Sequence, residues 1–434
     1  MHNGSANKES NLLVTSVIPE RDMFLEHVDL WVRDALVSGV ETFNDLLTKL
    51  PGVYPSVAFE SARRVAASDT SLSRTLTSIL QNTGNHKIHQ NHLHQLDLPI
   101  PHPLDYDWRF SDQTVEQLLA ECERTTKPGQ TVVLLGVPTA LRAAHERAFD
   151  RRVVLLDASE TTVDLLTVAP GSNVLKCDLL VDPLPEVVAN SVIGDPPWYP
   201  DEMGAFLWAA AKICSEGGNI LMSVPPLGTR PTIESERSEF FAWAEQLGLK
   251  LVSLEPAMLV YRSPLFEINA LKVEGVPNVG HDWRRGDLAL FFHETQVDVV
   301  RPAYSSSLQS WVEECVDGMR WRIRRAENRA FGDPKLISIV PGDVLPSVSK
   351  RDVRRVHADV WTSGNRVFRT EGKNTLRLVL QTLRNGGAPF VDSEIWRQMS
   401  EREVSLVRGA LDQIAEIVEL ERNENLLVRG LSND

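Results

Sequence analysis

The sequence predicts an α/β protein: a doubly wound, mostly parallel sheet of seven strands covered by helices, with a helical domain before it and an α+β domain after it. Three observations carry this. From residue 128 onward, apolar runs of strand length alternate with segments of helical period, and such alternation demands crossover connections and therefore parallel strands. Four of those runs end in a glycine or an acid, the residue types that build ligand-facing turns at the carboxyl ends of strands. The chain has 434 residues, more than the roughly 250–300 that one core organises, so further domains are expected on either side. The boundaries read as 1–82, a linker at 83–105, 106–298 and 299–434.

In the first domain, MFLEHVDLWVRDALVSG carries apolar residues at helical spacing and stops at Gly39, and VETFNDLLTKLPG stops at Pro51-Gly52. VYPSVAFESARRVAAS restarts after a Pro-Ser signal. Three short helices with tight turns resemble a winged-helix unit, with SVAFESARRVA in the place of a recognition helix. Its only positive charges are Arg63 and Arg64, so a dimerisation or substrate-gating module stands against DNA reading. The stretch from about 82 to 105 is rich in Asn, His and Pro without clean periodicity and reads as linker. His86, His89, His92 and His94 match no structural zinc spacing and no cysteine is near, so no metal is expected.

The central elements follow in order. QTVVLLGV is a buried strand, TALRAAHERAF a helix, RRVVLLDAS a strand, ETTVDLLTVA a helix, NVLKCDLL and NSVIGD the next two strands. PDEMGAFLWAAAKICSEGG is a helix closed by glycines, NILMSVPP a strand, TIESERSEFFAWAEQLGL a helix. KLVSLEPAMLVYRS and EINALKVEG are read as the antiparallel pair that closes the sheet. In the last domain, LQSWVEECVDGMRWRIRRAENRA is read as a helix, KLISIVPGD as a strand and ADVWTSGNRVFRT as strand-turn-strand. KNTLRLVLQTL and REVSLVRGALDQIAEIVELERNE are helices. Arg320, Arg322, Arg324, Arg325, Arg351, Arg354 and Arg355 make either a phosphate-facing patch or solvated faces with acidic neighbours.

Composition bounds the function. No apolar run is long enough to span a bilayer, and the start of the chain lacks the pattern of a secretory signal. Four scattered cysteines without C-x-x-C spacing suit reduced thiols, so a cytoplasmic protein is expected. A net charge of −14 disfavours sequence-independent nucleic-acid binding and favours a small-molecule or base substrate; a homodimer is compatible with the helical domain.

Gly136, Asp157, Asp178 and Asp195 end successive strands and therefore share one rim of the sheet. An acid closing the second strand is a device for gripping ribose hydroxyls, although Asp157 is also placed to cap a helix beginning near Ser159. Gly136, Val137 and Pro138, Asp157 and Ala158, and Asp178 and Leu179 are the candidate cofactor-binding residues. Asp195, Pro196, Pro197, Trp198 and Tyr199 are the candidate catalytic ones.

On these residues the chain resembles the class I S-adenosylmethionine-dependent methyltransferases, a Rossmann-like family. VVLLGVPT stands in the first-motif position, VVLLDAS in the second, KCDLL in the third, and GDPPW is similar to the Asp-Pro-Pro-aromatic motif of enzymes that methylate amino nitrogens. The first motif keeps only Gly136 of the several glycines usual there. The resemblance implies S-adenosyl-L-methionine, or a decarboxylated or related adenosyl nucleoside, as cofactor and an amino group of a base, nucleotide or amide as acceptor. It also implies that Asp195 and the Pro196 carbonyl accept from the amine, and that Trp198 or Tyr199 stacks on it or shields the sulfonium methyl. In domain order and in its D-P-P the chain also resembles the branched-chain polyamine synthases, which are aminopropyltransferases, but the acidic triplet of that family is replaced by Val137, Pro138 and Thr139. A degenerate, non-catalytic binding protein is the third alternative.

Overall fold

A computed structural model describes residues 20–81, 98–167, 173–276, 279–306, 310–327, 331–386 and 399–428. The linker histidines lie outside these residues.

The N-terminal domain is four helices: α1 (Glu20–Val37), α2 (Phe43–Lys49), α3 (Pro55–Ser68) and α4 (Thr70–Gln81). Thr42 starts α2 with a capping box that engages Asp45, and Pro55 opens α3 at a position where a missing N–H costs nothing. Three were expected; the fourth follows a single extended residue, Asp69, to which Arg33 of α1 bonds at 2.9 Å. Among the described residues this domain contains no strand, hence no wing. Arg64 pairs with Asp29 and Arg63 with Glu60, so both arginines of α3 are engaged within the domain. Its core of Val28, Leu46, Leu47 and Ala62 also takes in Val276 and Trp283 of the central domain, which fixes the two units together.

The central domain follows as β1 (Arg109–Phe110), α5 (Asp112–Thr125), β2 (Thr131–Leu135), α6 (Pro138–Glu146), β3 (Arg152–Asp157), α7 (Glu160–Thr167), β4 (Asn173–Lys176) and β5 (Ala189–Gly194). It continues with α8 (Pro200–Ile213), β6 (Cys214–Val224), α9 (Ile233–Gln246), β7 (Leu249–Arg262), α10 (Leu265–Val273) and β8 (Arg285–His293). The sheet order is β1-β7-β8-β6-β5-β2-β3-β4, with β4-β3-β2-β5-β6 parallel and β8 and β7 antiparallel. Successive residues of β2 face opposite layers: Val133 and Leu135 pack with Met203 and Leu207 of α8, Val132 and Leu134 with Leu118 of α5 and Leu141 of α6. Strands buried on both faces read as continuous apolar runs, which is why they were legible.

Two expectations are corrected here. The sheet has eight strands rather than seven, because the two-residue β1 adds to its edge through β7. EINALKVEG is not the closing strand but α10; its buried Phe266, Glu267, Asn269, Ala270 and Leu271 follow helical spacing after Pro264, and the closing strand is RGDLALFFH.

The C-terminal sheet, in the order β11-β13-β12-β10-β9, contains β9 (Trp311–Val316), β10 (Met319–Arg324), β11 (Ile337–Ser338), β12 (Val360–Thr362) and β13 (Val367–Arg369). Helices α11 (Lys373–Arg384) and α12 (Glu401–Val428) pack on it. The segment read as one helix from Leu308 is instead a hairpin whose two-residue turn, Asp317-Gly318, has φ of 49° and 81°. Asp-Gly with two positive φ values is a preferred hairpin turn, and Met319, Trp321 and Ile323 face the core while Arg320 and Arg322 between them do not join that cluster.

Arg320 and Arg322 form neither a phosphate patch nor a solvated face, whereas Arg351 and Arg354 are part-exposed and pair with the acids Glu236 and Asp352. Arg320 is fully buried, pairs with Asp105 and Glu313, and donates to the Ile100 carbonyl at 3.1 Å and to Ser159 Oγ at 3.2 Å. Arg322 binds the same two acids. Although burial opposes it, Arg322 and Arg320 hold the Asp105 carboxyl well below the usual carboxylate range. Beside them, burial and the two arginines push His102 down to about 3, so it is neutral; its Nδ1 accepts from Leu104 N–H and its Nε2–H donates to the Trp361 carbonyl at 3.1 Å. The last part of the expected linker is thus locked into the C-terminal sheet.

Removing Arg320 leaves two nearly buried carboxylates, Asp105 and Glu313, to share Arg322. Arg320→Leu is expected to lower the unfolding free energy by about 3–5 kcal/mol in urea titration; a loss below about 1 kcal/mol would show the network to be dispensable.

Candidate functional site

The chain runs outward from β2 through β3 to β4 and then returns to place β5 on the other side of β2, so the crevice for a ligand falls at the tips of β2 and β5. Backbone bonds tie the tips together: Gly136 N–H donates to Leu156 O, Cys177 N–H to Asp157 O, and Asp195 N–H to Leu135 O at 2.9–3.1 Å. Gly136 has φ of 65°, and a Cβ there would stand 3.3 Å from the Phe206 ring, so this position needs glycine for both conformation and space.

A cavity of about 260 Å³ opens over these tips, with Gly136, Asp157, Ala158, Asp178, Leu179 and Asp195 in its wall. Asp157 Oδ1 accepts from Ser159 N–H at 2.8 Å in a turn ahead of α7, whose cap is Ser159 and not Asp157, since Ser159 Oγ accepts from Thr162 N–H at 3.4 Å; Asp157 Oδ2 takes no hydrogen bond from the described residues. Burial pushes the Asp157 carboxyl up to about 7, with Asp107 and Asp105 adding to the shift. Asp178 Oδ1 accepts from Leu180 N–H at 3.0 Å, and Arg301 braces the loop by donating to the carbonyls of Leu179, Val181 and Asp182. The roof comes from the segment Leu104–Trp108 that the Arg320 network positions.

A second cavity of about 820 Å³ lies on the other side of the Asp-Pro-Pro turn, and Pro196, Trp198 and Tyr199 belong to it. Tyr106, Trp108, Asp195 and Pro197 face both cavities, so the two meet at the Asp195 carboxyl. Ser223 Oγ and Tyr261 OH both donate to Asp195 Oδ1, at 2.6 and 2.7 Å; Oδ2 takes no hydrogen bond from the described residues. Desolvation outweighs these two bonds and pushes Asp195 up to about 7. Trp198 is nearly buried, donates from Nε1 to Ser223 Oγ at 3.3 Å, and carries the Arg284 guanidinium 4.2 Å above its ring. One face of it is therefore occupied; the half-buried Tyr199, set edge-on to Tyr106 at 5.5 Å, has Arg230, Lys350 and Arg351 5.7–5.9 Å from its ring centre.

Of the residues singled out in sequence, Val137 and Pro138 are the two that reach neither cavity. Val137 is buried under α6 and Pro138 is its first residue, because a proline is better suited to start that helix than to offer an N–H to a ligand. Sequence reading missed Asp105, Tyr106, Asp107 and Trp108, placed in or beside a linker, and Ser223, Tyr261 and Arg284. It also missed that Arg21, Tyr54 and Val57 of the helical domain wall the larger cavity.

No family model matches the chain, and no curated protein matches it. Among solved structures it is similar to the branched-chain polyamine synthase from Thermus thermophilus in complex with N4-aminopropylspermidine and 5′-methylthioadenosine, with 15% identity over 67% of this chain and 95% of that one, TM-score 0.46. It is also similar to a TehB-like SAM-dependent methyltransferase from Corynebacterium glutamicum, with 13% identity, 42% and 88% covered, TM-score 0.29. TrmN from Thermus thermophilus is 15% identical, with 41% and 47% covered and a TM-score of 0.28.

The two raised acids have a consequence for stability. An unfolded chain ionises both near the ordinary 3.8, the folded chain at about 7, so the fold loses stability as pH climbs through that interval and the loss is complete above it. Asp195→Asn keeps an acceptor for both hydroxyls without the charge. Its melting temperature is expected to exceed that of the wild type at about pH 8, with the gap closing by about pH 4; a gap independent of pH would contradict the raised Asp195.

Proposed function

We propose that the protein is an S-adenosylmethionine-dependent methyltransferase that modifies an amino nitrogen. The observation that carries this is that Asp195 lines both cavities, with hydrogen bonds from the described residues to its Oδ1 and none to its Oδ2. The smaller cavity fits an adenosyl group: Asp157 presents an open oxygen for the ribose hydroxyls, and Gly136 leaves the backbone bare where a Cβ would crowd. When bound, the cofactor supplies an electrophilic methyl carbon with its own leaving group.

The residues of the chain then do three things. Asp195 Oδ2 accepts a hydrogen bond from the acceptor amine, which draws its delocalised lone pair back onto nitrogen. Ser223 and Tyr261 fix the carboxylate from the other oxygen, and two prolines fix the turn, so the acceptor is set before the amine arrives. A nitrogen methylated there would pass its surplus proton to Asp195. A carboxyl titrating at about 7 suits that role near neutrality.

One observation favours a second reading, aminopropyl transfer from the decarboxylated nucleoside. Asp105, Asp107, Asp157, Asp178, Asp195 and Glu202 face the smaller cavity against a single lysine, Lys350, whose Nζ already bonds Glu202 at 2.6 Å. Such a wall tolerates a donor without a carboxylate better than one with it.

S-adenosylhomocysteine is expected to raise the melting temperature of the wild type and not of Asp157→Ala. A shift by methylthioadenosine with none by S-adenosylhomocysteine would select aminopropyl transfer; no shift by any adenosyl compound would leave a binding protein.

A further inference from the structure

The larger cavity carries its own chemistry. Arg284, just ahead of β8, is held by its carbonyl, which accepts from Tyr261 N–H at 3.0 Å. Its guanidinium lies between two indoles, 4.2 Å from the Trp198 ring centre and 4.4 Å from that of Trp108, and 5.9 Å from the Tyr261 ring. No described residue accepts a hydrogen bond from it, and Nε is buried without a partner. The acid that faces it from α10, Glu267, forms no ion pair with it and has both carboxyl oxygens buried and unbonded. A guanidinium stacked on aromatic faces keeps its in-plane donors pointing outward, in the fork that matches a carboxylate or phosphate.

The other charges of this cavity do not oppose such a ligand. Arg21, Arg230 and Arg351 line it with Arg284, against Asp195 and Asp352. Arg230 and Arg351 share one acid, Glu236, while Asp352 is clamped by Arg354 and Asp195 by Ser223 and Tyr261. Tyr106, Trp108 and Tyr199 give the same cavity an aromatic wall.

Resting on the transferase reading of Asp195, we propose that Arg284 anchors an anionic group of the acceptor, and that the acceptor is a flat aromatic amine bearing a carboxylate or a phosphate. The amine then points to Asp195 while the anion sits on the guanidinium. A polyamine meets there four arginines, Arg21, Arg230, Arg284 and Arg351, against two acids, Asp195 and Asp352.

Calorimetric titration of the full chain tests this with two matched pairs, 4-aminobenzoate against 4-aminobenzamide and adenosine 5′-monophosphate against adenosine, plus spermidine. At least one charged member is expected to bind about tenfold or more tightly than its uncharged counterpart, which identifies carboxylate or phosphate as the group. Arg284→Gln is expected to erase that ratio and Arg284→Lys to keep part of it, with the dissociation constant of S-adenosylhomocysteine unchanged within about twofold. The proposal is overturned by a ratio near one in both pairs, by no binding of either charged probe, by a ratio that survives Arg284→Gln, or by spermidine binding more tightly than all four. Failure of S-adenosylhomocysteine to bind the wild type would instead strike the transferase reading, since the charge ratios are measured without it.

Discussion

A carboxyl placed where two cavities meet governs the arrangement of this molecule. Asp195 sits at the end of a strand buried on both faces, where an anion is costly, and among the described residues two hydroxyls bond it, with the Arg284 charge adding to them. Those bonds are spent on one oxygen. The other takes no bond from the described residues, and the residue lines both cavities, a placement that a group transfer between two ligands requires. The three prolines at 196, 197 and 200 deny the chain a register in which the strand could continue or the acid retreat into the sheet.

The accessory domains serve the same point. The helical domain brings Tyr54, Val57 and Arg21 to the larger cavity, and its arginines on α3 are paired with acids of their own domain. The C-terminal domain sends Arg320 across to Asp105 and Ser159, and so holds the roof of the smaller cavity from a different sheet. The hairpin turn Ser363–Arg366 is equally internal: Gly364 N–H and Arg366 reach the fully buried Glu421 of α12 at 3.1 Å. Neither flank is an appendage.

The strand tips were legible because an acid or glycine that interrupts an apolar run is a strong local signal: Gly136, Asp157, Asp178 and Asp195 line one cavity as their positions implied. What failed locally failed for identifiable reasons. Asp317-Gly318 marked a hairpin, yet the arginines that follow suggested a charged helix, since nothing in sequence says that Arg320 is buried. EINALKVEG is short enough for its apolar residues to fit either period. Ser223 and Tyr261 lie inside strands and look like core, and their role exists only because β6 and β7 carry them to Asp195. Arg284 becomes notable only when Trp108 and Trp198, far apart in the chain, close on it.

The most direct test is a crystal structure with S-adenosylhomocysteine bound. The adenosyl group should occupy the smaller cavity, with ribose hydroxyls on Asp157 Oδ2 and sulfur turned toward the Asp195 carboxyl. A nucleoside bound elsewhere, or a cavity closed by the protein's own side chains at saturating ligand, would contradict the transferase reading of this site.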